Sequence, residues 1–520
     1  MDKRRSILNV TVSIISRILL LFAAFFVRRL LIQYIGNDVN GLNSLYTSII
    51  GLLSVAELGI GSAIIYSMYK PITEGDQRQV AALYCLYGKL YRIIGAVIFL
   101  AGLIVLPFLP CFISDYESIH VNVYLTFFLI LVSVVLSYLY GAKTSLITAY
   151  KDNYITTGIL TVGQIMRYVL QALSILVFRS FVLFLSCQII ETIVIWFLTD
   201  AAVRKRHCDI VKRREVIDQE TRGEIVRNVK AMFMHRIGTV LVNTIDSTII
   251  SAFIGVAILG KYSNYTLIAG TLSGMIALFF SPLTSVIGHL CASGEKEQIK
   301  RYFNFFYCMN YTLGVVFFHG YYAVIDPVIR LCFGPGLEVS REVSFIIALN
   351  VFLQYMRNAT LLFRNASGTF YYDRWKPIIE GIVNLFLSLI LVNVLSENLK
   401  IVGVIVATII TTLLICDIVD PYVVFKHVFE ESTKKFWIRN YLYIGLFTSS
   451  LYALNYVLQP VDGEIMGILM NGMISVAISF LLLCLIAVID RAFRMELWTV
   501  GRKTIAWIHR KKKNKTNFST

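Results

Sequence analysis

The sequence predicts an all-α polytopic membrane protein of about fourteen transmembrane helices, arranged as two parallel-repeat six-helix lobes plus a C-terminal helix pair. Three observations predict it. The 520 residues are 57% hydrophobic and only 15% charged, with a mean hydropathy of +0.71, too much apolar surface for a soluble core to hide. Long apolar stretches recur along the chain, each enough to cross roughly 30 Å of hydrocarbon as a helix. Finally, the chain repeats itself at an offset of 219 residues: positions 9 to 54 fall without a gap on 228 to 273, with 14 of 46 identical. Asn9-Val10, Arg17-Ile18, Ile35-Gly36, Gly41, Ser44, Tyr46-Thr47, Ile49, Gly51 and Leu53-Ser54 all recur, and several of these are not interchangeable aliphatics. Internal duplication in a membrane chain points to a carrier whose substrate sits between two related halves.

The first six spans are expected near 10–35, 42–69, 82–109, 121–149, 155–178 and 181–203. The first lies behind Lys3-Arg4-Arg5 but is too long for a signal peptide and lacks a small-residue cleavage site. Together they make an N-lobe, 1–203. A basic linker, 204–230, carries Arg204-Lys205-Arg206 and Lys212-Arg213-Arg214. The second six lie near 231–256, 262–290, 302–325, 343–363, 378–396 and 401–425, giving a C-lobe of 231–425. Two more, at 441–458 and 466–489, fall in the segment 426–489, before a basic tail of 490–520. Lys and Arg concentrate in the loops and tails that share a side with the N-terminus, so both termini are expected in the cytoplasm. Helices 1 and 7 then start on the same side, which makes the repeat parallel. The net charge of +16 is therefore mostly topology, and the basic runs, lacking aromatic partners, do not point to nucleic acid.

Catalytic and metal motifs are absent. Gly255 to Tyr262 nearly spells a phosphate-binding loop, but Tyr262 stands where Ser or Thr must meet Mg²⁺, and the segment follows a membrane helix. The nine cysteines have no metal or redox spacing and read as free thiols, Cys111 and Cys332 near the outer face included. The outer loops are short, the longest near 326–342, so no outer domain exists to carry out transfer chemistry. The sequence is read as a non-enzyme without cofactor.

Charged residues inside the spans then carry the functional signal: Arg17, Arg28, Arg29, Arg167, Arg236 and Arg357, with Glu57, Glu191, Asp246, Glu380 and Asp417. A charge facing lipid at mid-membrane costs roughly 2.5–3.5 kcal/mol on insertion scales, so these side chains should face a cavity or one another. Arg17 and Arg28 are eleven residues, three turns, apart and share a face. Gln164, Arg167 and Gln171 line one stripe, as do Arg236, Asn243 and Asp246, Asn350, Gln354, Arg357 and Asn358, and Glu380, Asn384 and Ser388. The amides read first as packing between helices; the acids fit packing and an ion site equally. Arg17, Arg28 and Arg236 read as cavity cations, with Arg167 and Arg357 as further ones, and guanidinium suits phosphate through its forked geometry. Arg28 and Arg29, near the outer end, have snorkelling as the alternative.

Several motifs resemble one family. Glu57-Leu58-Gly59-Ile60-Gly61-Ser62-Ala63, Tyr69-Lys70-Pro71-Ile72, Gly75-Asp76 and Tyr91-Arg92-Ile93-Ile94-Gly95 resemble the second-helix region of bacterial O-antigen and capsular polysaccharide repeat-unit flippases, in the MATE-like MOP superfamily. Ile245-Asp246, Gly255, Tyr262-Ser263-Asn264-Tyr265, Asp373-Arg374, Pro377, Glu380 and Asn384-Leu385 continue the likeness. It departs at Lys151 to Tyr154 and at Trp375. The resemblance implies a V of two bundles in the bacterial cytoplasmic (inner) membrane, moving undecaprenyl-diphosphate-linked oligosaccharide outward by alternating access. As partners it implies membrane lipids, H⁺ or Na⁺, and the polysaccharide polymerase and chain-length machinery. Asp246, Glu380 and Glu57 are the candidates for ion coupling. The rival in the same fold is a cation-coupled multidrug exporter, which would want a more acidic cavity. A membrane glycosyltransferase or polymerase would want acidic catalytic residues on an outer loop.

Overall fold

The computed structural model describes residues 3–54, 60–213, 215, 217, 223, 240, 244–280, 287–288, 290–291, 296–369, 372–458, 465–496 and 498. Among them there is no strand. The helices are α1 (Lys3–Tyr34), α2 (Asn37–Leu53), α3 (Ile60–Glu74), α4 (Gln77–Val105), α5 (Val123–Ala149), α6 (Asn153–Phe178) and α7 (Phe181–Lys212). Then come α8 (244–253), α9 (Val256–Phe280), α10 (Lys296–Phe333), α11 (Arg341–Met356), α12 (Asn358–Ala366) and α13 (Lys376–Val394). The last are α14 (Lys400–Thr411), α15 (Asp417–Val424), α16 (Lys434–Val457) and α17 (Ile465–Ile489). Among the described residues nine helical segments are long and apolar enough to cross a membrane. The protein is a multi-pass all-α membrane protein.

The observed helices fall on the expected spans, with differences that have local causes. In the second span α2 ends at Leu53 and α3 is described from Ile60, residues 55–59 lying outside the described ones. The tenth turns at Arg357, where α11 gives way to α12. The twelfth is interrupted by two π-helical turns, Thr412–Cys416 and Phe425–Phe429, which bracket the eight-residue α15 and its internal Pro421. π-turns insert an extra residue into the ladder and concentrate at functional positions.

The 219-residue repeat is a repeat of geometry. Helix α1 ends with the amides of Ile35 and Gly36 both on the carbonyl of Leu31, at 3.0 and 3.1 Å. Helix α8 ends with the amides of Ile254 and Gly255 both on Ile250, each at 2.9 Å. Gly36 and Gly255 take φ of 135° and 127°, a region that a Cβ would strain, which explains why glycine stands in both copies. The helices that follow, α2 and α9, cross at Gly41 and Gly260. A Cβ on Gly41 would lie 1.8 Å from the Val256 carbonyl oxygen, and one on Gly260 would lie 2.5 Å from that of Asn37. Gly41 and Gly260 are repeat mates, and so are Asn37 and Val256. Each partner therefore meets the mate of the other's contact, as a twofold relation between copies requires.

Two compact units are distinguishable. The first comprises Met1–Asn264, Cys332–Leu337 and Pro377–Val404. In it α5 is sandwiched between α4 and α7, and α6 packs on α1 and α7. Gly141 fits under the Tyr91 ring, 2.4 Å from where its Cβ would be, and Tyr91 meets Tyr87 edge-on at 4.4 Å. The second comprises Tyr265–Leu331, Glu338–Lys376 and Ile405–Thr520. Its core is aromatic: Phe303 is fully buried against Phe363, Phe425, Phe429 and Phe436, and Phe352 stacks on Phe447 with centroids 3.5 Å apart.

The repeat mates Tyr46 and Tyr265, one in each unit, are both fully buried and do related work. Tyr46 donates to the Val123 carbonyl at 3.0 Å and meets Thr126 Oγ1 at 2.8 Å, both in the first turn of α5. Tyr265 donates to Asp326 at 2.6 Å, and Ser344 in the first turn of α11 donates to the same oxygen at 2.6 Å. Tyr46 is thus satisfied at the start of α5, and Tyr265 by Asp326 of α10, an oxygen that it shares with the first turn of α11.

Candidate functional site: intramembrane charge and its partners

Arg28 sits on α1 where it meets the first turns of α9. It donates to the Ser263 carbonyl at 2.9 Å and to Asn264 Oδ1 at 3.3 Å. Asn40 of α2 reaches the same place, donating to the Gly260 carbonyl at 3.1 Å, Ser263 Oγ at 3.3 Å and Asn264 Oδ1 at 3.2 Å. Asn37 donates to the Ala257 carbonyl at 2.7 Å. Asn40 and Asn264 are fully buried and Arg28 half-buried. Among the described residues no carboxylate pairs with Arg28. The remaining buried amide atoms, Asn37 Oδ1, Asn40 Oδ1 and Asn264 Nδ2, have no hydrogen-bond partner there. A guanidinium held by neutral groups keeps its charge uncompensated, and that is what distinguishes this node from an ordinary packing contact.

The other expected cations are placed differently. Helix α1 is continuous, so Arg17 and Arg28 do share a face, but Arg17 is exposed, as is Arg29. Arg167 is ion-paired with Glu191 of α7 at 3.2 Å and lies over the Tyr168 ring at 4.7 Å. Gln171 donates to the Phe184 carbonyl at 3.2 Å, so the polar stripe of α6 seals the α6–α7 seam. Arg357 lies on Asp420 at 3.2 Å and on Gln354 at 3.0 Å. Arg236 and Glu57 lie outside the described residues. Of the expected coupling acids, Asp246 is buried beside Tyr262, and Glu380 is buried on α13 with Asn384 and Ser388 fully buried on the following turns.

One cluster is absent from the sequence reading. Asp420 on α15, 1% exposed, accepts from three cations: Arg357, Arg364 of α12 at 3.4 Å, and Lys376 at the head of α13 at 2.7 Å. Arg364 also binds Asp373, in the segment leading into α13. Asp417 lies one turn before Asp420 and is 4% exposed. From the sequence, Arg357 is expected as a cavity cation and Asp417 as an intramembrane charge that faces a cavity or another charge, and Asp420 is not included. The signal was available: Asp417 and Asp420, at i and i+3 in an apolar span, share a helix face and require cations opposite. Among the described residues no group of three metal-type ligands converges on a metal site, and the nine cysteines are free.

No protein-family model matches the sequence, and no curated protein matches it. Solved structures do match, and what this chain shares with them is the fold. In particular, the chain is similar to the lipid II flippase MurJ in an inward closed conformation. That alignment has 14% identity and a TM-score of 0.61, and covers 96% of this chain and all of MurJ. It is also similar to an inward-facing multidrug resistance MATE family transporter, at 11% identity and a TM-score of 0.58, over 77% of this chain and 96% of that one. A MOP superfamily transporter from Pyrococcus furiosus aligns at 11% identity and a TM-score of 0.50 over 79% of this chain. The all-α, MATE-like membrane fold expected from the sequence motifs is the fold that these structures share with the chain.

Proposed function

We propose that the chain is a flippase for undecaprenyl-diphosphate-linked oligosaccharide repeat units, delivering them from the cytoplasmic to the outer leaflet for O-antigen, capsule or exopolysaccharide assembly. The observation that carries this reading is Arg28: a guanidinium inside the membrane, on the duplicated helix pair, held by neutral groups where an anion would complete it. A diphosphate offers that complement in a two-point geometry. The polyprenyl tail stays in lipid while the headgroup follows the cationic path of Arg17, Arg28 and Arg236. The alignment with the lipid II flippase MurJ over 96% of the chain supports the same reading, since the multidrug resistance transporter aligns with 77% of it. Under this reading the chain makes and breaks no covalent bonds.

The lobes are residues 1–203 and 231–425, joined by the basic linker 204–230 on the cytoplasmic side. Helices in 426–489 and the basic tail 490–520 are appended, and both termini face the cytoplasm of a bacterial inner membrane. The repeated caps at Gly36 and Gly255 and the paired tyrosines support this division. In alternating access the Gly41–Gly260 crossing closes and parts. An H⁺ or Na⁺ gradient drives the cycle through Asp246, Glu380 or Glu57.

The test is export. Arg28→Ala should abolish surface polysaccharide at unchanged protein abundance, and Arg28→Lys should restore only part of it, because lysine offers a point charge rather than a fork. One charge-assisted contact, about 1.5–3 kcal/mol, corresponds to about ten- to a hundredfold in binding. Full polymer export with Arg17, Arg28 and Arg236 each replaced by alanine would refute the cationic path.

A further inference from the structure

The connection between α4 and α5 reaches across to the corner where α8 turns into α9, all within the first compact unit. Its Leu106–Phe112 stretch is a 3₁₀ segment stiffened by Pro107 and Pro110, and Leu109 and Ile113 are buried. Three ties run from this arm to the corner. The Ser114 amide donates to the Ser251 carbonyl at 3.1 Å, and the hydroxyl of Ser251, itself fully buried, donates to the Phe112 carbonyl at 2.7 Å. The amide of Val256, the first residue of α9, donates to Asp115 Oδ1 at 3.2 Å. Asp115 also precedes the short turn Tyr116–Ser118, but it holds that turn with its carbonyl, which accepts from the Ser118 amide at 3.1 Å and hydroxyl at 2.7 Å. Its carboxylate goes to α9 instead, to an amide that a helix start leaves unsatisfied, at the positive end of the helix dipole. Gly255 makes room for it, since a Cβ there would lie 3.1 Å from Asp115 Oδ2.

The repeat shows that turning the chain does not require these ties. Gly36 and Gly255 make the same corner in both copies, yet Ser251 stands where the first copy has Ile32, which has no hydroxyl. Helix α2, the mate of α9, starts without a side-chain cap. A duplicated corner is thus fastened in one copy by side chains that the other lacks. Phe112, Ser114 and Asp115 lie in the half 1–203, and Ser251 and Val256 in the half 231–425. Those halves part in the alternating access proposed above, so the inference rests on that cycle, though on no particular substrate. We propose that Asp115 and Ser251 form a latch on the outer side. It holds the α8–α9 corner to the 106–122 connection in the arrangement seen here, with α2 and α9 in contact at Gly41 and Gly260. Outward opening requires the Val256 amide to leave the carboxylate and Ser251 to leave the arm. Removing a tie therefore shifts the population toward the outward-open state by what that tie contributes to the closed one.

The experiment is thiol labelling of the full-length protein in lipid vesicles, without substrate. Ser263→Cys puts a thiol in the seam between α2 and α9, where Ser263 is buried with its hydroxyl 3.3 Å from the Asn40 amide. A membrane-impermeant maleimide is added, and modification at each cysteine is followed by mass spectrometry. Exposed Cys111, on the 106–122 connection itself, reports which vesicles present that side to the reagent, and buried Cys187 of α7 reports general loosening. In this background Asp115→Ala should speed modification at position 263 by about two- to thirtyfold, the range for a lost helix cap. Asp115→Asn should speed it less, because its amide oxygen still accepts, and Ser251→Ala should speed it as well. Cys187 should stay unmodified throughout. Equal rates at position 263 with and without Asp115 and Ser251 would overturn the latch. Modification of Cys187 rising in step with position 263 would also overturn it, since that marks lost packing rather than an opened seam. Variants that open the seam in a chain that moves no lipid-linked oligosaccharide would leave the latch standing and remove the flippase reading. Full transfer with unchanged labelling would do the reverse.

Discussion

At the scale of single residues, the sequence makes intramembrane charges conspicuous but leaves their partners hidden. Arg28, Arg167 and Arg357 were equally anomalous as letters in apolar runs. Only packing distinguishes the one held by neutral groups from the two paired with Glu191 and Asp420. Partner choice depends on helices far apart in sequence, so periodicity along one helix cannot reveal it. Asp420 is the residue whose removal should cost the fold most. Asp420→Asn takes from Arg357, Arg364 and Lys376 the carboxylate they share in a nearly dry site, and breaking a buried pair on one side costs about 3–5 kcal/mol. Thermal unfolding in detergent should show a large drop for Asp420→Asn and a small one for Arg204→Ala, whose exposed pair with Asp200 is worth at most about 1 kcal/mol. Equal drops would mean that the Asp420 cluster is not the anchor described.

Whole elements were more legible than single contacts. The repeat offset predicted which glycines matter, because Gly36 and Gly41 recur as Gly255 and Gly260, while the conformation and crossing that require them are visible only in three dimensions. The π-turns of the twelfth span were not legible, since hydrophobic periodicity over a few residues does not separate α from π geometry. At the crossing, Gly41→Leu should force α2 and α9 apart, because even a Cβ lacks room beside the Val256 carbonyl. A disulfide between cysteines placed at Asn37 and Ala257, whose side chain and carbonyl are 2.7 Å apart, should form in the parent and fail with Gly41→Leu. Formation at equal rates in both would argue against the crossing.

A second element-scale prediction concerns the end of α17. Asp490 accepts from Tyr443 at 2.6 Å and pairs with Arg439 at 2.7 Å. Burial by itself pushes its carboxyl up, but the Tyr443 hydroxyl and the Arg439 guanidinium outweigh it, and the group lies below its ordinary value. A depressed folded-state value contributes stability that is complete above the unfolded value, about 3.9, and is lost as pH falls through the folded one. The wild type should therefore lose more heat stability than Asp490→Asn between about pH 5 and about pH 3. Parallel losses would remove Asp490 from the account.

For the whole molecule, composition and the recurring apolar runs were enough to place the chain among multi-pass membrane proteins, and its fold aligns with that of the lipid II flippase MurJ over 96% of its length. Substrate is a separate matter, because the same fold carries flippases and drug transporters. Under the function proposed above, the positive charge of Arg28 selects an anionic headgroup, and this can be measured directly. The purified chain would be reconstituted in vesicles with an undecaprenyl-diphosphate oligosaccharide labelled on its sugar, and movement of the label between leaflets followed by impermeant quenching. The account predicts transfer above protein-free vesicles, slowed at least about tenfold by Arg28→Ala. Transfer no faster than in protein-free vesicles, together with gradient-driven export of a lipophilic organic cation that Arg28→Ala leaves intact, would contradict it.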